Sequence, residues 1–127
     1  MTDDALQLLL DNHFPSVVAR EIHRQRPACN ITMMRDWHEG RYVDAPDEDI
    51  LQAAAFESLT LVTRDVSTIP AILEARSEAG RGHGRVIFVP TRSFPHRDIG
   101  RLVKALIRLW DEELNRNWRN RQRFLTP

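Results

Sequence analysis

The sequence predicts an α/β protein: a three-layer α/β/α sandwich around a central, mostly parallel sheet of four to five strands. Three observations predict it. Short apolar runs of strand length alternate with longer stretches at helical spacing, an order that calls for parallel strands joined by crossover helices. The runs Leu8-Leu9-Leu10 and Leu59-Thr60-Leu61-Val62 are apolar at nearly every position, which suits strands buried on both faces. The first run is followed at once by Asp11, and the second continues through Thr63 and Arg64 to end on Asp65, so two strands share one design.

Taken in order, the first strand gives way at Asp11 to a short turn, and Pro15 has the fixed φ that suits the first turn of a helix. That helix runs to about Gln25 with Val17, Val18, Ala19 and Ile22 on its buried side, and Pro27 ends it. Asn30 to Met34 reads as a short second strand, and Asp36 to Pro46, polar and aperiodic, as a loop. From Asp47 to Ser58 the apolar residues fall at helical spacing behind a first turn of three acids, where the helix dipole favours negative charge. Leu59 to Asp65 is the third strand, followed by a helix from about Ser67 to Ala79. The glycines of Gly80-Arg81-Gly82-His83-Gly84 follow a helix and open a strand, the reverse of a phosphate loop, so they read as a connector. Arg85 to Pro90 is the fourth strand, and Asp98 to about Asn115 is a long amphipathic helix. That helix looks more apolar than covering one sheet face requires, and it is the expected homodimer contact. Residues 116–127 read as a basic tail in which Trp118 and Phe124 interleave with Arg116, Arg119, Arg121 and Arg123.

A chain of 127 residues is expected to form a single domain, 1–127, with an ordinary core. With 42% hydrophobic and 28% charged residues it has the composition of a globular protein, not a disordered one. No apolar run approaches the roughly 20 residues that span a bilayer, and Met1-Thr2-Asp3-Asp4 is acidic where a signal peptide is basic, so the expectation is a cytoplasmic protein without a membrane partner. The lone Cys29 has no partner for an internal disulfide, which agrees with a reducing compartment. A net charge of zero gives no global field for nucleic acid.

The acids carry the chemistry. If the first and third strands are neighbours, their axes lie about 4.8 Å apart and Asp11 and Asp65 leave the same sheet edge. Two like charges at about 4 Å cost about 4 kcal/mol at an effective dielectric of 20, so such a pair calls for a shared proton or a cation. Asp36 and Asp47 flank the loop that leaves the same edge and can add oxygens. Oxygen ligands without thiolate or clustered imidazole suit Mg²⁺ or Mn²⁺. Of the histidines only His13 and His38 fall near this edge.

Leu-Leu-Leu-Asp at 8–11, Arg35-Asp36 after a short strand, Pro-Asp-Glu-Asp-Ile-Leu at 46–51 and Leu-Val-Thr-Arg-Asp at 61–65 together resemble, in order and spacing, the short PIN-like domains related to toxin ribonucleases of bacterial toxin–antitoxin pairs. The resemblance covers about residues 6 to 90. It implies a PIN-like α/β/α sandwich, Mg²⁺- or Mn²⁺-dependent cleavage of RNA, a small antitoxin protein as partner, and Asp11, Asp47 and Asp65 at the acidic positions. Many relatives carry a second acid where this chain has Asn12, and another where it has Ser67; Asn12, Ser67 and Thr68 offer neutral oxygens instead. Arg64, Arg35, Arg41 and Arg92 are the candidates for binding phosphate, and the tail could hold RNA by charge and stacking. Loss of two acids makes an inactive PIN-like module, binding RNA or a protein without cleaving, the alternative. A phosphoacceptor domain is disfavoured, because the first strand lacks an acidic pair after it and Lys104 falls inside a helix.

Overall fold

Among the residues described, 6–81, 84–113 and 122–127, the computed structural model has five parallel strands in one sheet and four α-helices. The strands are β1 (Gln7–Leu10), β2 (Asn30–Met33), β3 (Thr60–Thr63), β4 (Arg85–Phe88) and β5 (Gln122–Phe124). Between them come α1 (Ser16–Gln25), α2 (Asp47–Phe56), α3 (Thr68–Glu78) and α4 (Ile99–Glu113). Across the sheet the order is β2-β1-β3-β4-β5, every neighbouring pair parallel, with Leu10 opposite both Met33 and Val62.

Alternation along the strands divides the apolar residues between two cores. Leu8 and Leu10 face α1 and α4, meeting Phe14, Val18, Ile22, Leu102, Leu106 and Trp110. Leu9, Leu61, Val86 and Phe88 face the other way and meet Leu51 and Ala54 of α2 with Ile69 and Leu73 of α3. The fold is thus the expected α/β/α sandwich, and each fully buried aliphatic side chain contributes about 1.5–3 kcal/mol. The first core is also tied by polar contacts. Arg26, at the end of α1, grips Asp111 of α4 through Nε and Nη2 at 3.0 and 2.8 Å, and the Trp110 indole donates to the Leu6 carbonyl at 3.3 Å.

Three sequence expectations change. The last six residues are not a free basic tail: β5 adds a strand to the edge of the sheet, and Leu125 is buried in the α1/α4 core. Arg116, Trp118, Arg119 and Arg121 lie outside the described residues. The loop 36–46 is not wholly a polar excursion either, because Trp37 opens a 3₁₀ turn (Trp37–Gly40) and buries its ring in the α2/α3 core. The apolar side of α4, expected to serve a homodimer, is taken up by its own chain: Leu102, Val103, Ala105, Leu106, Ile107, Leu109 and Trp110 are all buried without a second copy.

The glycine connector has a mechanical explanation at both ends. Gly80 takes φ +74 to end α3, letting the Arg81 amide reach back to the Arg76 carbonyl at 2.8 Å. Gly84 passes so close to α2 that a Cβ there would stand 3.1 Å from the Ala55 Cα. No described helix is long and apolar enough to cross a membrane.

Candidate functional site

The chain reverses its direction of travel across the sheet between β1 and β3: from β1 it goes outward to β2 on one side, then returns to place β3 on the other. In doubly wound sheets the connections diverge at such a point and leave a crevice beyond the carboxyl ends of the strands. Asp11 and Asp65 stand at that crevice. Asp11 is the residue after β1 and its amide still donates to the Val62 carbonyl of β3 at 3.2 Å; Asp65 follows β3 by two residues. Asp47 arrives from a third direction as the first residue of α2.

The three acids line one small pocket with His13, Met34, Ile50, Leu61, Thr63 and Ile69. Its volume is about 70 Å³, roughly that of two liquid water molecules, so it suits an ion and its bound water rather than a whole ligand. All three carboxylates are partly buried. Burial, and after it the charges of Asp65 and Asp11, raise the Asp47 carboxyl above its ordinary range, so the acids act on one another.

Asp11 and Asp65 are also held alike. Asp11 Oδ1 accepts the His13 amide at 3.0 Å, and Asp65 Oδ1 accepts the Ser67 and Thr68 amides at 3.1 and 2.8 Å. Each Asp thereby folds the turn after its strand, and Asp65 also satisfies two free N–H groups at the start of α3. Among the described residues neither Oδ2 has a hydrogen-bond partner. The Asp65 amide in turn donates to Thr63 Oγ1 at 3.0 Å. The donor set therefore fits a hard divalent cation in type and in charge, three carboxylates whose repulsion a cation relieves. As the side chains stand, no group of three or more His, Cys, Asp or Glu among the described residues converges closely enough to hold an ion. Coordination would need the carboxylates to turn about their side-chain torsions.

Other expected site residues are placed differently. Asp36 is exposed and does not line the pocket. Asn12 turns to the loop and donates to the Val43 carbonyl at 3.3 Å, while Ser67 and Thr68 serve through their amides. Arg64 stands beside Asp11, but its guanidinium donates to the Phe94 carbonyl at 2.8 Å and lies 5.3 Å over the Phe14 ring. Burial lowers its pKa, against the pull of Asp11, and its Nε is buried without a partner. Arg35 binds Ser16 Oγ and the Phe14 carbonyl, Arg41 lies over the Tyr42 ring, and Arg92 is exposed in the turn after β4. Lys104 lines a separate groove between α1 and α4. Cys29 is buried, and that burial, aided by Asp111, pushes its thiol up to about 11, which makes it inert.

Thr63 is the pocket residue that sequence reasoning did not single out. The signal was there: with a period of two, Leu61 and Thr63 fall on one face of β3, and both line the pocket beside Asp65, two residues past the strand. The fold and site define an α/β/α protein with an acidic pocket at the carboxyl edge of a parallel sheet. No protein-family model, no curated protein and no solved structure matches the chain.

Proposed function

We propose that the protein is a metal-dependent ribonuclease of the PIN-like kind, hydrolysing phosphodiester bonds of RNA. The observation that supports this reading is the meeting of Asp11, Asp47 and Asp65, from three separate elements, in one partly buried pocket at the switch point of the sheet. Asp11 and Asp65 would hold Mg²⁺ or Mn²⁺, which when bound lowers the pKa of a water and neutralises charge on the leaving oxygen. Asp47, with its raised affinity for a proton, completes the set or orients the attacking water. Thr63 fixes the Asp65 backbone, and the two turns hold the carboxylates at the pocket mouth. Arg92 remains a candidate for the phosphate, whereas Arg64 would first have to leave Phe94.

The test is cleavage of single-stranded RNA in Mn²⁺ by the native chain and by Asp11→Asn. Loss of one such acid is expected to reduce the rate at least 100-fold, the scale of about 2.7 kcal/mol of transition-state stabilisation. Equal rates in both proteins would end the proposal. The reading extends to a cytoplasmic toxin held by a small antitoxin protein, which growth arrest on expression, relieved by the Asp11→Asn change, would support.

Two observations favour a second reading, a PIN-like module that binds RNA or a protein without cleaving. Asp65 Oδ1 is engaged by two amides of α3, and Asn12 and Ser67 are neutral. This reading expects retained RNA affinity and no cleavage in either cation.

A further inference from the structure

The acidic pocket stands on a border between two kinds of surface. On its α2 side, the loop 36–46 and the first turn of α2 expose Asp36, Glu39, Asp44, Glu48 and Asp49, with Arg41 as the one arginine of that stretch. On its β4 side, residues 89–97 carry Arg92 and Arg97, both exposed, and no acid. The next acid along, Asp98, is already engaged: its Oδ1 accepts the Arg101 amide at 3.1 Å and its Oδ2 lies 3.4 Å from Arg101 Nε. Among the described residues Arg92 and Arg97 form no hydrogen bond or ion pair. A polyanion at the pocket is therefore repelled on one side and drawn to the other.

The basic loop is fastened to the pocket. The Val89 amide donates to the Thr63 carbonyl at 2.8 Å, so the loop starts one strand spacing, about 4.8 Å, from a strand that lines the pocket. Arg64, next to Asp65 in the chain, reaches over to donate to the Phe94 carbonyl at 2.8 Å and to Thr91 Oγ1 at 3.4 Å. From the other flank Arg101 donates to the Ser93 carbonyl at 3.4 Å. Phe94 is buried in the α1/α4 core with its amide on the Pro90 carbonyl at 2.9 Å, and Pro90 and Pro95 have fixed φ. The loop thus holds its two exposed cations in place before any ligand arrives, and binding has little more of the chain to order.

We propose that the loop 90–97 guides the backbone of a single-stranded RNA held across the acidic pocket: the strand leaves the pocket over β4, with Arg92 and Arg97 each on a phosphate, and not over α2. This rests on the ribonuclease reading for the identity of the polyanion. The charge pattern carries the direction, because a repeating anion gains from the two arginines and loses from the five acids opposite, and a guanidinium fork matches two phosphate oxygens at once. Arg64 serves by tying the loop to the acidic turn rather than by touching phosphate.

The experiment measures binding of a fluorescent single-stranded oligoribonucleotide to the full chain in EDTA, between 50 and 200 mM salt. Each phosphate contact on a single strand contributes about 0.7 to the slope of log affinity against log salt. The double variant Arg92→Gln/Arg97→Gln is expected to lower that slope by about 1.4, so that over this range the native chain loses about 7-fold more affinity than the variant. Arg81→Gln, which removes an exposed charge at the amino ends of the strands, is expected to leave the slope unaltered. A slope shared by the native chain and the double variant would overturn the proposal, as would a drop of the same size per charge with Arg81→Gln. Polyglutamate of equal charge is expected to bind more weakly than the RNA; equal or tighter binding, with the same dependence on both arginines, would make the loop a contact for an acidic protein and overturn the proposal. Cleavage assays in Mn²⁺ separate the two readings. Asp11-dependent cleavage with an unchanged slope keeps the ribonuclease and removes the guide, whereas a lowered slope without Asp11-dependent cleavage keeps the guide and removes the ribonuclease.

Discussion

Asp47 shows how much a single residue reports about its surroundings. Burial and two neighbouring carboxylates raise its pKa, and only a pocket shared with Asp65 and Asp11 supplies those charges. For stability the sign follows directly. A carboxyl whose folded pKa lies above its unfolded value opposes folding when ionised; that opposition is complete above the folded pKa and fades as pH falls to the unfolded value. Carboxyl carbon shifts followed by NMR against pH should show Asp47 titrating above the normal aspartate range in the native chain. Asp65→Asn should bring it down, and Asp11→Asn should do so to a smaller extent. An Asp47 that titrates normally in the native chain would mean that the three acids do not share one pocket. Asp11, Asp47 and Asp65 were legible in the sequence because each follows a recognisable boundary, a strand end or a helix start. Asp36 misled because a loop residue has no periodicity to fix its direction, and Arg64 because nothing local announces a carbonyl 30 positions later, that of Phe94, as its partner.

Among the strands, β5 is the one that sequence patterning missed, and the reason is physical. Gln122, Arg123 and Phe124 are exposed at the edge of the sheet, where a strand needs no apolar run and charge discourages pairing with another chain. Its anchor lies one residue beyond: Leu125 is 5% exposed, and its amide donates to the Phe88 carbonyl at 2.8 Å. A tail and a strand predict different results for Leu125→Ala. A tail loses nothing, whereas the strand loses about 2 kcal/mol, the lower end for a buried Leu→Ala change because the site lies at the sheet margin. Thermal melts should then show a drop of roughly 6–10 °C. An unchanged melting temperature would return residues 122–127 to the status of a tail. Strands β1 to β4 and the four helices were legible because the inner strands β1, β3 and β4 carry consecutive apolar residues and the helices carry their own spacing. Their boundaries were read one or two residues too long at several ends, since Asp11 and Asp65 continue the apolar runs in sequence while turning away in space.

At the scale of the molecule, strand order is what converts two similar sequence runs into one site. Nothing in the residues of β1 and β3 states that they are neighbours; that follows from α1 packing on one face and α2 on the other, which is a property of the whole chain. Once they are neighbours, three acids face a volume of about 70 Å³. Stability then depends on what neutralises them, and a ligand that binds only the folded chain raises stability by RT ln(1 + [L]/Kd). At ten times its Kd, Mn²⁺ or Mg²⁺ should add about 1.4 kcal/mol, which corresponds to roughly 4–6 °C in melting temperature for a chain of this size. Ca²⁺, with its longer bonds and higher coordination number, should add less in so small a pocket. Asp11→Asn and Asp65→Asn should each abolish the shift while leaving the cation-free melting temperature nearly unchanged or higher, because each removes one of the mutually repelling charges. A melting temperature indifferent to millimolar Mn²⁺ and Mg²⁺ in the native chain, with oligoribonucleotide binding intact, would choose the non-cleaving module over the ribonuclease.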